Sequence, residues 1–265
     1  MTGIIGAVIG DIIGCHFEQT KPTKDYNFNL FNEKMHFTDD TTCTIAVADW
    51  LMNTKRTPKE LVAKLKYWCR KYNFGFADRF NNWVNSEKTA PYYSFGNGSA
   101  MRVSPVAWVA KSLQECINLA KISAEVTHNH PEGVKGAIAI AVAIYLNRTG
   151  KSKQEIIKFI ESNSDYKIPQ YENLYNTHKM APTCQVSVPA SICCWNESTS
   201  YEDCIRKAIS LGGDADTEAC IAGSICNANP ATQVSNELIK EIIDRELIPS
   251  DIFEIIKNFH RKYES

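Results

Sequence analysis

Helix signals recur along the whole of this chain, and segments that alternate apolar and polar residues are almost absent. Residues 57–60 form a capping box with proline at the first helical position, and residues 152–155 repeat the box ahead of another apolar face. Ser250 precedes a third amphipathic stretch, which predicts a C-terminal helix. Because strands would require period-two alternation, the pattern predicts an all-α fold.

Three glycines recur every four residues near the start of the chain, at Gly6, Gly10 and Gly14. This spacing places them on one face of a helix, where the lack of side chains permits close packing. The alanine-rich stretch 137–144 is too long for a strand and predicts a central, buried helix. Residues 185–195 suit either a strand or a helix, and we predict a helix.

Length, charge and cysteine content narrow the class of protein. The chain has 265 residues, 44% of them hydrophobic, and we expect residues 1–265 to form a single domain. Lys and Arg number 29 against 30 Asp and Glu, and no basic block indicates nucleic-acid binding.

The ten cysteines lack metal spacing, so we expect reduced thiols. The apolar N-terminal segment contains glycines and Asp11, which fits neither a signal peptide nor a membrane span, and we expect a cytoplasmic monomer.

Two turns rich in side-chain oxygens stand directly before predicted buried helices. Their members are Thr38, Asp39 and Asp40 in the first turn and Asp214, Asp216 and Thr217 in the second. A single aspartate would suffice to cap a helix, which is the alternative interpretation of each residue taken alone. Several carboxylates at each turn would repel one another unless a cation neutralised them. Because hard divalent ions prefer oxygen ligands, the sequence predicts two Mg²⁺ or Mn²⁺ ions about 3.5–4 Å apart.

A glycine loop and two further side chains are candidates for contacting a ligand. The loop consists of Gly96, Asn97, Gly98 and Ser99. Its backbone N–H groups could converge on an anion, although a plain turn is the alternative, and its spacing is neither that of a Rossmann domain nor that of a P-loop. His128 precedes the central helix as a cap or a substrate contact, and Glu18 is either a surface carboxylate or a base.

Five motifs in this order resemble the ADP-ribosylglycohydrolase family. They lie at residues 6–11 with 17–18, 37–41, 96–102, 127–128 and 212–217. The resemblance implies an all-α, compact orthogonal helical bundle. It also implies that Thr38, Asp39, Asp40, Asp214, Asp216 and Thr217 hold two Mg²⁺ or Mn²⁺ ions, which coincides with the site derived from residue chemistry.

The same resemblance implies a substrate and an activity. The expected contacts to ADP-ribose are Phe95, Gly96, Asn97, Gly98, Ser99, Met101 and His128. Phe95 would lie by the adenosine, the glycine loop by the diphosphate and ribose, and His128 by the ribose pocket. Glu18, Asp39 and Asp216 are the expected catalytic residues. The expected reaction is metal-dependent hydrolysis of the bond between ADP-ribose and a modified protein side chain, with arginine as the first choice.

Three alternatives remain open at this point. An O-linked conjugate such as ADP-ribosyl-serine or O-acetyl-ADP-ribose would use the same residues. A non-catalytic ADP-ribose binder with the same fold is a second alternative, and a two-metal phosphohydrolase is a third. Residues 165–183 match no motif of the family, and the sequence assigns them no function.

Overall fold

The computed structural model describes residues 3–19, 22–53 and 55–263, and this part of the chain is helical without a strand. Its only extended pairing is an isolated bridge between Gly96 and Thr183. The α-helices are α1 Ile5–Gln19, α2 Asp39–Met52, α3 Pro58–Lys71, α4 Asp78–Asn85, α5 Gly98–Met101, α6 Ser104–Val109, α7 Leu113–Glu125, α8 Pro131–Arg148, α9 Lys153–Asn163, α10 Tyr171–Thr177, α11 Cys184–Glu197, α12 Tyr201–Ser210, α13 Ala215–Cys226, α14 Asn236–Asp244 and α15 Ser250–Tyr263. The predicted all-α class is confirmed.

The predicted starts of α3 and α9 are found at their capping residues, whereas Ser250 is itself the first residue of α15. Thr57 accepts a hydrogen bond from the Glu60 N–H while the Glu60 carboxylate accepts one from the Thr57 N–H, so the box at the start of α3 is complete. The box at the start of α9 is complete in the same way. Residues 185–195 lie within α11, which confirms the helix prediction for that ambiguous stretch. Local capping chemistry therefore decides where these elements begin.

The glycine face of α1 packs directly on the backbone of α13. A Cβ built on Gly10 would lie 2.3 Å from the Ala219 carbonyl oxygen, and one on Gly14 would lie 2.5 Å from the Asp216 Cα. No side chain fits in this space, so the glycine spacing is what allows the two helices to touch. The contact brings the C-terminal half of α1 beside the first turn of α13.

All twelve residues of α13 are buried, and α8 and α11 pack beside it. Helix α2 contacts α1, and its first residue, Asp39, stands near the first turn of α13. The ten cysteines are buried and free, as predicted. No helix in the described ranges has the length and apolar character to cross a bilayer.

Candidate active site

Helix packing brings the two acidic turns together at one end of a cavity of about 430 Å³. The Thr217 hydroxyl, from the second turn, donates a hydrogen bond of 3.2 Å to Asp40 Oδ2, from the first. Residues 177 positions apart in the sequence are therefore in direct contact. The meeting of these turns is the central prediction from the sequence, and the structure places both in one site.

Asp11 of α1 orients the first turn, and the sequence analysis did not include it among the site residues. Its carboxylate accepts hydrogen bonds from the Thr38 N–H at 2.9 Å, the Thr38 hydroxyl at 2.7 Å, and the N–H and hydroxyl of Thr41. This fixes the start of α2 against α1. The available signal was an acidic residue inside an otherwise apolar, glycine-spaced helix, because such a charge is buried only when it has partners.

Carboxylate oxygens form two groups that share one residue. The first group is Asp11, Asp40 and Asp216, and the second is Glu18, Asp214 and Asp216, with the ligand atoms of each group within 4.8 Å of one another. Asp216 therefore stands between two neighbouring cation-sized positions. Glu18 is exposed at the mouth of the cavity, whereas the aspartates are buried. Asp39 lines the same cavity but belongs to neither group, and its role as a ligand stays a prediction.

These aspartates do not simply cap their helices. Asp214 is the N-cap residue of α13, yet its side chain makes no capping hydrogen bond and instead accepts one of 2.7 Å from the Asn97 amide. Asp40 Oδ1 is buried and has no hydrogen-bond partner among the described residues. A buried carboxylate oxygen without a donor is costly in a folded protein. A bound cation would satisfy it, so the residues fit a divalent metal.

Burial raises the pKa values of the site carboxyls. For Asp216 the cause is desolvation first and then the charges of Asp40 and Asp214, and for Asp40 it is desolvation and then Asp11 and Asp39. The pKa of Glu18 is raised by partial burial and by Asp214. Each shift reflects negative charge held in a poorly hydrated place, which a divalent cation would offset.

The glycine loop forms the floor of the cavity beside the acidic end. Gly96, Asn97, Gly98, Met101 and His128 line the cavity, and their contact with substrate stays a prediction. The Asn97 side chain faces the protein, where it donates to Asp214 and Ser187, and its backbone N–H donates to the Pro182 carbonyl. The Ser99 hydroxyl is buried and donates to the Gly133 carbonyl at 2.7 Å.

Part of the cavity lining is aromatic. Phe76, Phe80 and Tyr92 belong to it, and the Arg79 guanidinium lies over the Tyr92 ring. Phe95 lies outside this lining and is 43% exposed, with its ring centroid 5.4 Å from that of His130. Its predicted contact with adenosine, like that of Ser99 with substrate, stays a prediction. The cavity thus combines carboxylates suited to polar groups with aromatic side chains suited to a flat ring.

Residues 165–183 form one wall of the site, and His178, to which the sequence assigned no role, anchors them. His178 Nε2 lies 2.7 Å from Glu218 Oε1, one turn into α13, and both side chains are buried. Burial raises the pKa of Glu218 to about 7. The Pro182 carbonyl accepts from the Asn97 N–H at 3.3 Å, and Met180 and Pro182 line the cavity. The segment that matched no motif therefore contacts both the second acidic turn and the glycine loop.

Comparisons with known proteins agree with this geometry. A sequence model described as ADP-ribosylglycohydrolase matches residues 1–259. The chain is 24% identical to ADP-ribosylhydrolase ARH3 of Mus musculus over 85% of this chain and 82% of that protein. It is 26% identical to a protein of Archaeoglobus fulgidus, with 92% of each covered. A solved structure titled ADP-ribosylglycohydrolase-related protein complex superposes with a TM-score of 0.75 at 19% identity, covering 97% of this chain and 95% of that one, and shares its fold.

Proposed function

The chain belongs to the ADP-ribosylglycohydrolase family, and we propose that it is a metal-dependent hydrolase that releases ADP-ribose from a modified arginine side chain. One observation carries the metal dependence. Carboxylates from two turns and α1 converge in a buried site, and Asp40 Oδ1 there has no donor among the described residues. Helix capping does not account for the group, because the Asp214 side chain makes no capping hydrogen bond, although Asp216 Oδ1 accepts one of 2.8 Å from the Thr217 N–H.

We assign the metal positions to Thr38, Asp39, Asp40, Asp214, Asp216 and Thr217, with Asp11 and Glu18 adjacent. Two Mg²⁺ or Mn²⁺ ions would supply charge neutralisation and activation of water at this end of the cavity. The glycine loop then holds the ADP-ribose so that its reacting carbon, C1″, faces the carboxylates. Orientation by a rigid loop lowers the entropic part of the barrier.

Cleavage at C1″ develops positive charge on the ribose, and the nearby carboxylates favour it. The attacking water must lose a proton. Glu18 is suited to accept it, because this carboxylate stands exposed at the mouth beside Asp216 and its pKa is raised. Asp39 and Asp216 are the other two candidates. Every carboxyl group needed for the reaction therefore lies at one end of the cavity.

The charge at the mouth supports arginine as the modified residue. Glu18 lines the cavity, is exposed and lies outside the six residues assigned to the metals, so the bound ions do not take up its charge directly. A guanidinium leaving group is cationic and would be attracted to this carboxylate, while a serine conjugate carries no such charge. O-linked conjugates are the second candidate, since the ADP-ribose half would bind identically.

A substrate panel tests the activity and the linkage together. We expect ADP-ribosyl-arginine peptide to release free ADP-ribose with Mg²⁺ and to remain intact with a chelator. ADP-ribosyl-serine peptide and O-acetyl-ADP-ribose, assayed in parallel by chromatography, should react more slowly. Faster release from an O-linked conjugate would replace arginine as the target. Free phosphate would identify a phosphohydrolase, and tight ADP-ribose binding without turnover would identify a binder.

Metal binding should stabilise the protein more at higher pH. Folding raises the carboxyl pKa values. In the metal-free protein these groups therefore contribute their full stabilisation of the fold below their unfolded pKa. That stabilisation is lost as the pH rises through the folded pKa. Mg²⁺ binds the ionised forms, so it should offset that loss. At about 100 times its Kd, Mg²⁺ should raise Tm by about 5 °C.

Thermal melts at pH 6 and pH 8 would measure this increment, with NaCl at equal ionic strength as the control for screening. An increment that is the same with NaCl, or larger at pH 6 than at pH 8, would contradict the metal assignment. A cytoplasmic location and a monomeric state remain part of the proposal, and size-exclusion chromatography with light scattering would check the latter.

A further inference from the structure

A chain of hydrogen bonds runs beneath the glycine loop from Arg102 to His128. The Arg102 guanidinium is buried, with 1% of its surface exposed, and donates at 2.7 Å to the Ser123 carbonyl and at 2.8 Å to the Thr127 hydroxyl oxygen. The Thr127 oxygen in turn lies 2.7 Å from His128 Nδ1. The fully buried Thr127 hydroxyl therefore connects a cation to an imidazole.

The direction of these bonds follows from which groups carry protons. Arginine can only donate, so the Thr127 oxygen accepts from Arg102. The Thr127 hydroxyl proton then needs an acceptor, because a buried hydroxyl without one is costly. Within the described residues the only such partner of Oγ1 besides Arg102 is His128 Nδ1. His128 Nδ1 consequently carries the lone pair, and the ring proton is on Nε2.

The surroundings keep this imidazole neutral. Burial lowers the pKa of His128 well below its ordinary value, and the charges of Arg102 and Arg79 lower it further. Tyr92 packs beside the ring with a centroid distance of 6.1 Å. No carboxylate forms an ion pair with His128 in the described ranges. The Nε2 atom faces the glycine loop, 3.2 Å from a Cβ built on Gly98 and 3.6 Å from one built on Gly96.

We propose that Arg102 and Thr127 are positioning residues that hold His128 as a neutral imidazole whose Nε2–H donates to an oxygen of the bound ADP-ribose. The assignment rests on the proposed function for the identity of the ligand, but the proton position does not depend on it. A lone pair at Nε2 would repel a phosphate or hydroxyl oxygen at the same place. The hydrogen bonds from Arg102 through Thr127 thus leave the Nε2–H of His128 as a donor for the ligand.

Two variants separate positioning from folding. Thr127→Val preserves the shape and removes the hydroxyl, whereas Thr127→Ser retains it and should rescue. We expect Thr127→Val to weaken ADP-ribose binding by about 10- to 100-fold and Thr127→Ser by about threefold or less, measured by calorimetry with Mg²⁺ present. Arg102→Lys, which keeps the charge but loses the paired donors, should lie between them.

The direct readout is the ¹⁵N spectrum of the histidine rings in the free protein, with the His128 signals identified by their loss in His128→Gln. We expect the Nε2–H tautomer, unchanged from pH 6 to pH 8, and a change in the tautomer signals in Thr127→Val. A wild-type His128 that is protonated on Nδ1, or that titrates in this range, would overturn the proposal even if the Thr127 and Arg102 variants misfolded. Equal binding by Thr127→Val and wild type would also overturn it.

This test is independent of catalysis. A protein with the expected tautomer and no turnover would reject the proposed function alone. A protein that hydrolyses ADP-ribosyl conjugates with His128 protonated on Nδ1 would reject only the proposed role of Arg102 and Thr127.

Discussion

Asp216→Asn should lower kcat for ADP-ribose release by about a thousandfold, equivalent to about 4 kcal/mol of transition-state stabilisation. Asp216 is the only residue common to both carboxylate groups among the described residues, so its replacement affects both cation positions. Asparagine keeps the shape and one oxygen but removes the charge that a divalent ion requires. Steady-state assays with saturating Mg²⁺ would measure the loss.

Two comparisons separate this effect from unfolding. Asp244→Asn changes an exposed aspartate on α14 whose one ion pair within the described residues is with Lys240, and it should retain activity within twofold. In the metal-free protein Asp216→Asn should melt at or above the wild-type temperature, since it removes a buried charge that repels Asp40 and Asp214. An Asp216→Asn enzyme with a tenth or more of wild-type kcat would contradict the proposed role.

Gly10→Ala should destabilise the fold by roughly 3 kcal/mol or more, which corresponds to a fall in Tm of about 6 °C or more. The added Cβ would meet the Ala219 carbonyl oxygen at 2.3 Å, and a backbone atom inside a buried helix cannot rotate away. The two helices would have to separate. Because Asp11 and Glu18 lie on α1, their distance from Asp216 would change, and activity should fall as well.

The same substitution in open space provides the control for Gly10. A Cβ on Gly150 would meet nothing within 4 Å, and its φ of 85° is the only penalty. Gly150→Ala should therefore cost about 1–2 kcal/mol and leave activity unchanged. Urea unfolding of both variants would compare them. A loss at Gly10 no larger than that at Gly150 would contradict the predicted clash with α13, because the helical backbone at Gly10 itself favours alanine.

Local signals in the sequence were sufficient for some of the helices. Capping boxes depend on side chains within three residues of the helix start, so the starts of α3 and α9 could be predicted from local chemistry alone. The ambiguous stretch in α11 contains β-branched residues, and its burial against α13 is a tertiary effect that no local pattern contains. The glycine spacing predicted close packing but could not name α13 as the partner.

The site was only partly predictable. The composition of the oxygen-rich turns indicated a site. One acidic residue is enough to cap a helix, and each of these turns contains more than one. Asp11 was overlooked as a site residue because its partners, Thr38 and Thr41, lie about thirty residues away. The pairing of His178 with Glu218 spans forty residues and has no spacing rule. Contacts of this kind depend on the fold and become visible only in three dimensions.

The direction of the Asn97 side chain could not be predicted from the motif that contains it. The glycine loop does line the cavity, but the Asn97 amide turns inward to Asp214 and links the loop to the acidic end. The sequence could place the residue in the site without indicating which way its side chain points. In this direction the Asn97 side chain holds the glycine loop to the carboxylates.

The central claim is that both acidic turns bind the same pair of cations. The most direct measurement is an anomalous difference map from a crystal grown with Mn²⁺. We predict two peaks about 3.5–4 Å apart, with Asp216 between them and Asp40 and Asp214 on opposite sides. A map with no peak at the site in a crystal saturated with Mn²⁺, or with peaks bound by only one of the two turns, would contradict the account.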